Sequence, residues 1–307
     1  MEVDVSVIVT TKNEEKNIRR CLESIINQSV AVREVIVIDN KSSDKTVDIA
    51  SHYTNQIYQC GPERSAQRNF GIKNCATGKY VMYLDADMIL SRRCIEVCYD
   101  QISKDSRCVA LFIKEIILGN SFFNRIRRFE REFYDGTPID AVRFIDRAAF
   151  MHVGGFDEQL FVRGSGEDWD LDKSLKSLGA LKLARLDSRC EDSEAVIAYA
   201  EIKSFVSTQV DFDLSQDPII FHNETELTCR RYLEKKIYYS SGFSGYIRKW
   251  GASDPDVKYQ FSPINRLCLV FLRNGGFRKV FTHPIYFFCI FGLKILVGIA
   301  YLKTWIK

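Results

Sequence analysis

Gly78–Met88 reads GKYVMYLDADM. Within it, Lys79–Leu84 (KYVMYL) is the apolar run expected of a strand buried on both faces of a parallel sheet, and it ends on Asp85-Ala86-Asp87. Two runs of the same kind lie upstream: Val3–Thr11 (VDVSVIVTT) and Glu34–Ile38 (EVIVI), the latter followed by Asp39. Between them, Glu14–Gln28 sets Ile18, Cys21, Leu22, Ile25 and Ile26 at helical spacing. Thr46–Ser51 and Arg64–Asn74 predict two more helices, with a short strand around Gln56–Tyr58. A β-α-β-α-β-α-β period over the first 85 residues predicts the α/β class and a doubly wound sheet. Ligands of such sheets bind beyond the carboxyl ends of the strands, so the residues that end each strand are the first to inspect.

Those ends exclude two common functions. Thr10–Glu14 (TTKNE) stands where a dinucleotide-binding enzyme would carry GxGxxG, and no GxxxxGK[ST] motif of a P-loop kinase occurs anywhere. Asp85 and Asp87 instead offer two hard oxygen donors at the sheet mouth, suited to Mg²⁺ or Mn²⁺ with a diphosphate completing the shell; an acidic solvated turn is the alternative. Arg64 and Arg68, four apart on one helix face, suit bidentate contact with a diphosphate, or else surface ion pairs. Glu167, Asp168 and Asp170 in Gly166–Leu171 (GEDWDL) open an amphipathic helix, where acids also favour a helix start. His222 follows the strand-like Pro218–Phe221.

Outside these motifs, the 307 residues are 46% apolar and 27% charged, an ordinary globular balance. The net charge of +3 conceals a polarity: residues 1–225 hold 29 basic against 36 acidic side chains, whereas residues 226–307 hold 14 against 4. Ten cysteines scattered without a CxxC pair predict reduced thiols rather than a disulfide framework. Two acids in Met1–Asp4 argue against a signal peptide at this end.

Taken together, Val7–Glu14 (VIVTTKNE), Val35–Thr46 (VIVIDNKSSDKT), Glu63–Gly71 (ERSAQRNFG), Gly78–Met88, Gly154–Glu158 (GGFDE) and Gly166–Leu171 resemble, in order, the inverting family 2 glycosyltransferases of the GT-A fold. The resemblance runs from about residue 4 to 235 and implies a metal-dependent hexosyltransferase acting by single displacement on a UDP- or GDP-linked sugar. It implies donor contacts from Thr11, Asn13, Glu14, Asp39, Arg64, Arg68 and Asp85, with a divalent cation, Mn²⁺ or Mg²⁺, on Asp85, Asp87 and His222. Asp168 is the implied general base with Glu167 beside it, and Gly155, Phe156, Asp157, Trp169 and Asp170 lie on the acceptor side. The expected division is a GT-A domain over 1–225 (nucleotide-binding half 1–90, acceptor-side half 91–225), basic interfacial helices over 226–280 and a hydrophobic membrane segment over 281–307.

Basic residues interleaved with Tyr238, Tyr239, Phe243, Tyr246 and Trp250 suit a membrane interface better than nucleic acid, because a strongly apolar element follows. Ile264–Leu272 is expected on that surface, with Arg266 and Arg273 snorkelling. Ile285–Leu302 is 18 residues long with Lys294 at its centre, a placement that costs roughly 2.5–3.5 kcal/mol in a bilayer and argues against a simple lipid-surrounded span. Gly298 and Tyr301 continue a polar stripe from Lys294 toward a partner helix or a lipid phosphate. The expected function is therefore sugar transfer to a polyprenyl or dolichyl phosphate, or to a lipid-linked saccharide, at the cytoplasmic face of a membrane. A membrane-anchored enzyme elongating a surface polysaccharide is the alternative; a sugar-nucleotide nucleotidyltransferase and a non-catalytic scaffold are the rivals from other classes. Oligomeric state stays open, as does the role of 187–216, where Ile202–Val210 reads as a strand.

Overall fold

The computed structural model describes residues 2–161, 166–186, 197–210, 218–240, 242–273 and 276–305. The strands in chain order are β1 (Glu2–Thr11), β2 (Ala31–Asp39), β3 (Ile57–Gln59), β4 (Tyr80–Asp85), β5 (Met88–Leu90), β6 (Cys108–Phe112), β7 (Lys114–Leu118), β8 (Val142–Asp146), β9 (Ala180–Leu183) and β10 (Ile219–Asn223). Seven of them form one sheet in the order β3-β2-β1-β4-β8-β6-β9, and β5-β10-β7 form a second. The first four run parallel, while β8 is antiparallel to both β4 and β6, which makes the large sheet mixed.

Alternation along β1 explains why its centre is apolar on both sides. Val5, Val7 and Val9 face a layer that includes Ile18, Leu22, Ile25, Cys94 and Cys98, whereas Ile8 joins Ile36, Val81 and Tyr83 under Ile72, Phe150, Leu171 and Leu175. Helices therefore cover both faces, as the period in the sequence requires. Helix Arg64–Phe70 continues as a π-helical turn over Gly71–Cys75. A Cβ at Gly71 would meet Ile8 Cγ2 at 2.7 Å, so glycine lets this helix lie close on β1 and carry Arg68 to the sheet mouth.

Three local expectations change. The first helix begins at Ile18 rather than Glu14, because Asn13 takes φ +55° and Glu14–Asn17 form a turn. Ile202–Gln209, all of that run but Val210, is helical and belongs to helix Ile197–Gln209: Tyr199, Ile202 and Val206 recur at helical spacing and bury against Ile89, Ile116 and Phe221, overriding a β-branched composition. The rest of the segment left open, 187–196 and 211–217, lies outside the described residues. Arg266 does not snorkel outward: it turns inward, its guanidinium 5.5 Å from the Tyr134 ring, and Arg273 lies over Tyr259 at 4.6 Å. Cation–π contact holds Arg266 on the protein side, whereas Arg273 stays exposed beside its ring.

Beyond β10 the chain is helical: Cys229–Ser240, Phe243–Trp250, Pro255–Phe261, Asn265–Leu272, Gly276–Thr282 and Pro284–Trp305. The last contains an 18-residue window, Pro284–Tyr301, of mean hydropathy 1.9, long and apolar enough by length and composition to cross a membrane. It does not stand alone. Ile290 is fully buried in a cluster with Ile126, Phe129, Tyr134, Val270 and Phe271, so one face lies along helix Phe122–Arg131 while Ile285, Phe288, Leu296 and Ile299 are exposed on the other. Lys294 belongs to the buried side, where Nζ donates to Glu130 Oε1 at 2.7 Å and to Tyr134 Oη at 2.5 Å.

Candidate active site

The carboxyl ends of β1, β2 and β4 bring the predicted donor residues together. Thr11 and Asp39 are register partners, and Asp39, fully buried, accepts from Ser42 N at 2.9 Å and Ser42 Oγ at 2.5 Å. Asn13 N donates to the same Ser42 Oγ at 2.8 Å, and Glu14 N donates to Thr46 Oγ1 at 2.7 Å. Thr11 Oγ1 is buried here without a hydrogen-bond partner. Burial, and after it the charges of Asp87 and Asp85, raise the Glu14 carboxyl against the opposing Asn17 hydrogen bond. Glu14 thus joins this pocket to the acidic end of β4.

Arg68 is the hub. Its side chain is fully buried between the Tyr83 ring at 4.7 Å and the Phe156 ring at 5.4 Å. From there Nη2 donates to Asp85 Oδ1 at 2.9 Å and Nη1 to Asp168 Oδ1 at 2.9 Å. Arg64 Nη2 reaches Glu167 Oε1 at 2.9 Å. Burial alone would raise Asp85, but Arg68, Arg143 and Arg64 hold it far below the usual carboxylate range. Glu167 goes the other way, raised by burial and by Asp168 beside it.

Loop geometry fixes this arrangement. Gly155 takes φ +75°, and a Cβ there would meet Asn69 Oδ1 at 2.4 Å. That contact is used: Phe156 N donates to Asn69 Oδ1 at 2.9 Å and Asn69 Nδ2 to Phe156 O at 2.8 Å, which seats Phe156 under Arg68. Gly166, at φ +80°, caps the start of helix Glu167–Lys176, so Glu167 and Asp168 enter the site from its first turn.

Three expected metal ligands divide into a pair and an outlier. His222 Nε2 lies 3.2 Å from Asp87 Oδ2, and its Nδ1 lies 2.8 Å from Glu115 Oε1. Burial opposes the imidazolium, but the two carboxylates outweigh it and raise the His222 pKa well above its ordinary value. Asp85 is not part of this group, because Arg68 engages both of its oxygens. Accordingly, among the described residues no three His, Cys, Asp or Glu side chains stand close enough to hold an ion by themselves. Asp87 Oδ1 is nonetheless buried with no partner, an open oxygen beside an imidazole.

The acceptor-side set also separates. Trp169 stacks on Phe243, 5.6 Å between centroids, and lines a cavity of about 560 Å³ together with Glu167 and Asp168. Asp157 and Asp170 are not on that cavity: Lys249 pairs with both, at 3.3 and 2.8 Å, and Trp250 Nε1 donates to Asp170 at 2.7 Å. They fasten the later helices to the domain, while Gly155 and Phe156 shape the floor beneath Arg68. Four participants escaped sequence reading: Tyr83, whose hydroxyl is 3.4 Å from Asp168 Oδ1; Glu115; Arg131, which donates to Glu115 Oε2 at 3.3 Å; and Arg143, over the Tyr83 ring at 5.2 Å. Arg143 did carry a signal, a charge in the middle of the apolar strand VRFID.

Residues 6–156 match the family described as Glycosyl transferase family 2. The Escherichia coli chondroitin synthase is 34% identical over 190 residues, 58% of this chain and 27% of that protein. The Bacillus subtilis minor teichoic acid biosynthesis protein GgaA is 32% identical over 169 residues, 49% of this chain and 36% of that protein. The chain thus spans only about a quarter to a third of these relatives. A mannosyltransferase from Pyrobaculum calidifontis, solved with GDP-Man and Mn²⁺, superposes with a TM-score of 0.60 over 99% of this chain and 87% of its own, at 15% identity; that likeness is one of fold. With the carboxylates and arginines of the sheet mouth in place, these matches make the chain similar to glycosyltransferase family 2 through residues 6–156.

Proposed function

We propose that the chain transfers a hexosyl group, with inversion, from a nucleoside-diphosphate sugar to an acceptor carried on a lipid at a membrane surface. The observation that carries this reading is Arg68, which bridges the donor-side Asp85 and the proposed base Asp168 in one buried contact. A donor diphosphate arriving at Arg64 and Arg68 competes for both guanidinium groups and frees Asp168 at the position where an acceptor must approach. Asp168 then accepts the proton of an acceptor hydroxyl as the glycosidic bond forms, with Tyr83 orienting it. An anionic phosphate acceptor needs no such proton transfer, and Asp168 would only position it.

Asp87 and His222, with the open Asp87 Oδ1, fit a divalent cation whose other ligands come from the donor. When bound, Mn²⁺ or Mg²⁺ would neutralise charge on the leaving diphosphate. The Mn²⁺ and GDP-Man held by the Pyrobaculum mannosyltransferase support this use of the fold. The membrane reading rests on helix Pro284–Trp305: its exposed Ile285, Phe288, Leu296 and Ile299 would face acyl chains while its inner face stays on the protein, an in-plane arrangement on the cytoplasmic leaflet. The names of the chondroitin and teichoic acid relatives favour a second reading, elongation of a surface polymer by an anchored enzyme.

Full-length protein with Mn²⁺ and a panel of UDP- and GDP-sugars, offered a polyprenyl phosphate or an oligosaccharide primer, tests both. Labelled lipid supports the first reading and labelled polymer the second. Absence of turnover with every donor, together with donor hydrolysis indifferent to Asp87→Ala, would refute the enzyme reading altogether.

A further inference from the structure

The cavity that begins at Asp168 runs on between helices to Leu293, Val297 and Tyr301 of the terminal helix. Its polar wall is crowded with cations. Arg127 is paired with Glu130 and Glu224, Arg131 with Glu115 and Asp140, and Lys294 with Glu130. Lys236 and Arg266 line the same cavity, and among the described residues neither has an ion-pair partner. Among the described residues the Lys236 ammonium has only the Tyr232 ring, 5.3 Å away, and Arg266 Nη1 is buried without a hydrogen bond. Desolvation, and then the positive charges of Arg127, Arg266 and Lys294, push Lys236 down to about 8, with Glu130 alone opposing. Two cations that share a desolvated cavity without an ion-pair partner of their own favour an anion in it.

We infer that Lys236 and Arg266 form the binding site for the phosphate of an amphiphilic acceptor, whose apolar chain leaves along Leu293, Val297 and Tyr301 toward the exposed face of the terminal helix. Two features select this occupant over a sugar alone. Neutral hydroxyls would leave the cationic excess uncompensated, whereas a phosphate offers charge-assisted acceptors to both side chains. The far wall is apolar and opens on the helix that presents Ile295 and Ile299 outward, so charge and apolar surface are met in one molecule only by a phosphorylated lipid-like chain. The inference rests on the acceptor half of the function proposed above and names residues for it.

The test uses the full chain in detergent with farnesyl phosphate, farnesol and inorganic phosphate as probes, read by titration calorimetry. Farnesyl phosphate should bind at least tenfold more tightly than either fragment, and Lys236→Gln or Arg266→Gln should each weaken it about tenfold or more without changing farnesol binding. Because neither side chain has an ion-pair partner among the described residues and each loses only a contact with a tyrosine ring, each variant should melt close to the wild-type temperature, a readout that a larger structural role would move downward. Inorganic phosphate binding as tightly as farnesyl phosphate would reduce the site to a free-anion site and overturn the inference, as would equal binding of farnesyl phosphate by wild type and both variants. Nucleotide thermal shifts with UDP and GDP report the donor pocket separately. A donor shift with no farnesyl phosphate binding sinks this site and spares the transferase; no donor shift at all sinks the transferase reading instead.

Discussion

Exchange of Glu130 for glutamine should damage the protein far more than loss of its partner Lys294. The Glu130 side chain is 3% exposed and its carboxylate takes Lys294 Nζ at 2.7 Å, Arg127 Nη1 at 2.7 Å and Tyr134 Oη at 2.7 Å. In Glu130→Gln, Arg127 keeps Glu224 at 3.2 Å, but Lys294 is left as an unbalanced buried cation, at a cost of about 3–5 kcal/mol. Lys294→Met removes that cation, preserves its apolar stem and leaves Glu130 with Arg127 and Tyr134, so its cost should be about 0–1 kcal/mol. The double variant should therefore recover roughly 2–3 kcal/mol relative to Glu130→Gln alone, a coupling measurable by a double-mutant cycle. Thermal unfolding of the four proteins in one detergent checks this, at roughly 2–4 °C for each kcal/mol. If the two single effects add, or if Lys294→Met is as harmful as Glu130→Gln, then Lys294 does not anchor the terminal helix to the catalytic domain and the in-plane arrangement loses its support.

Three further outcomes follow from the site and its frame. Asp168→Asn should lower kcat by about 10²–10⁴ with little change in donor KM, measured with a hydroxyl acceptor; an unchanged kcat would point to a phosphate nucleophile or a different base. Gly155→Ala forces a side chain into the Asn69 contact at φ +75° and should destabilise by about 1–3 kcal/mol, seen as a shifted denaturant midpoint with unchanged slope. Asp135 is raised to about 7 by burial, against Arg131 and with Asp140, so the folded state holds its proton longer than the unfolded chain. Its contribution favours the fold near pH 4 and is lost as pH rises toward about 7, and Asp135→Asn should flatten the fall in melting temperature over that window.

Strand ends were the most legible part of the chain. Asp39 and Asp85 follow buried apolar runs, and a polar residue at that point has nowhere to go but the sheet mouth. Arg64 and Arg68 were legible as a helical pair, but their bonds to Glu167 and Asp168, 103 and 100 residues away, depend on tertiary packing that spacing does not encode. The same holds for Asp85: two carboxylates in DAD suggest two ligands, and only the position of Arg68 shows that one is claimed in advance. For Lys294 the energetic difficulty was visible from its apolar surroundings, while its solution, Glu130, lies 164 residues earlier. Helix Ile197–Gln209 was misread because β-branched composition outweighed period, and the periodic Tyr199, Ile202 and Val206 are what the structure obeys.

The small sheet has a consequence for how the protein comes into being. β10 lies between β5 and β7, so the backbone that joins Met88–Leu90 to Lys114–Leu118 is supplied last. Asp87 must wait 135 residues for His222, which at roughly 5–20 residues per second of synthesis is about 7–27 s. During that time the nascent chain has its donor carboxylates but neither the imidazole nor the strand that holds them in register. Competence arrives only as residue 223 of 307 is placed, shortly before Pro284–Trp305 is made. The order of translation thereby keeps the Asp87–His222 pair unfinished until only the later helices, the apolar Pro284–Trp305 among them, are still to be made.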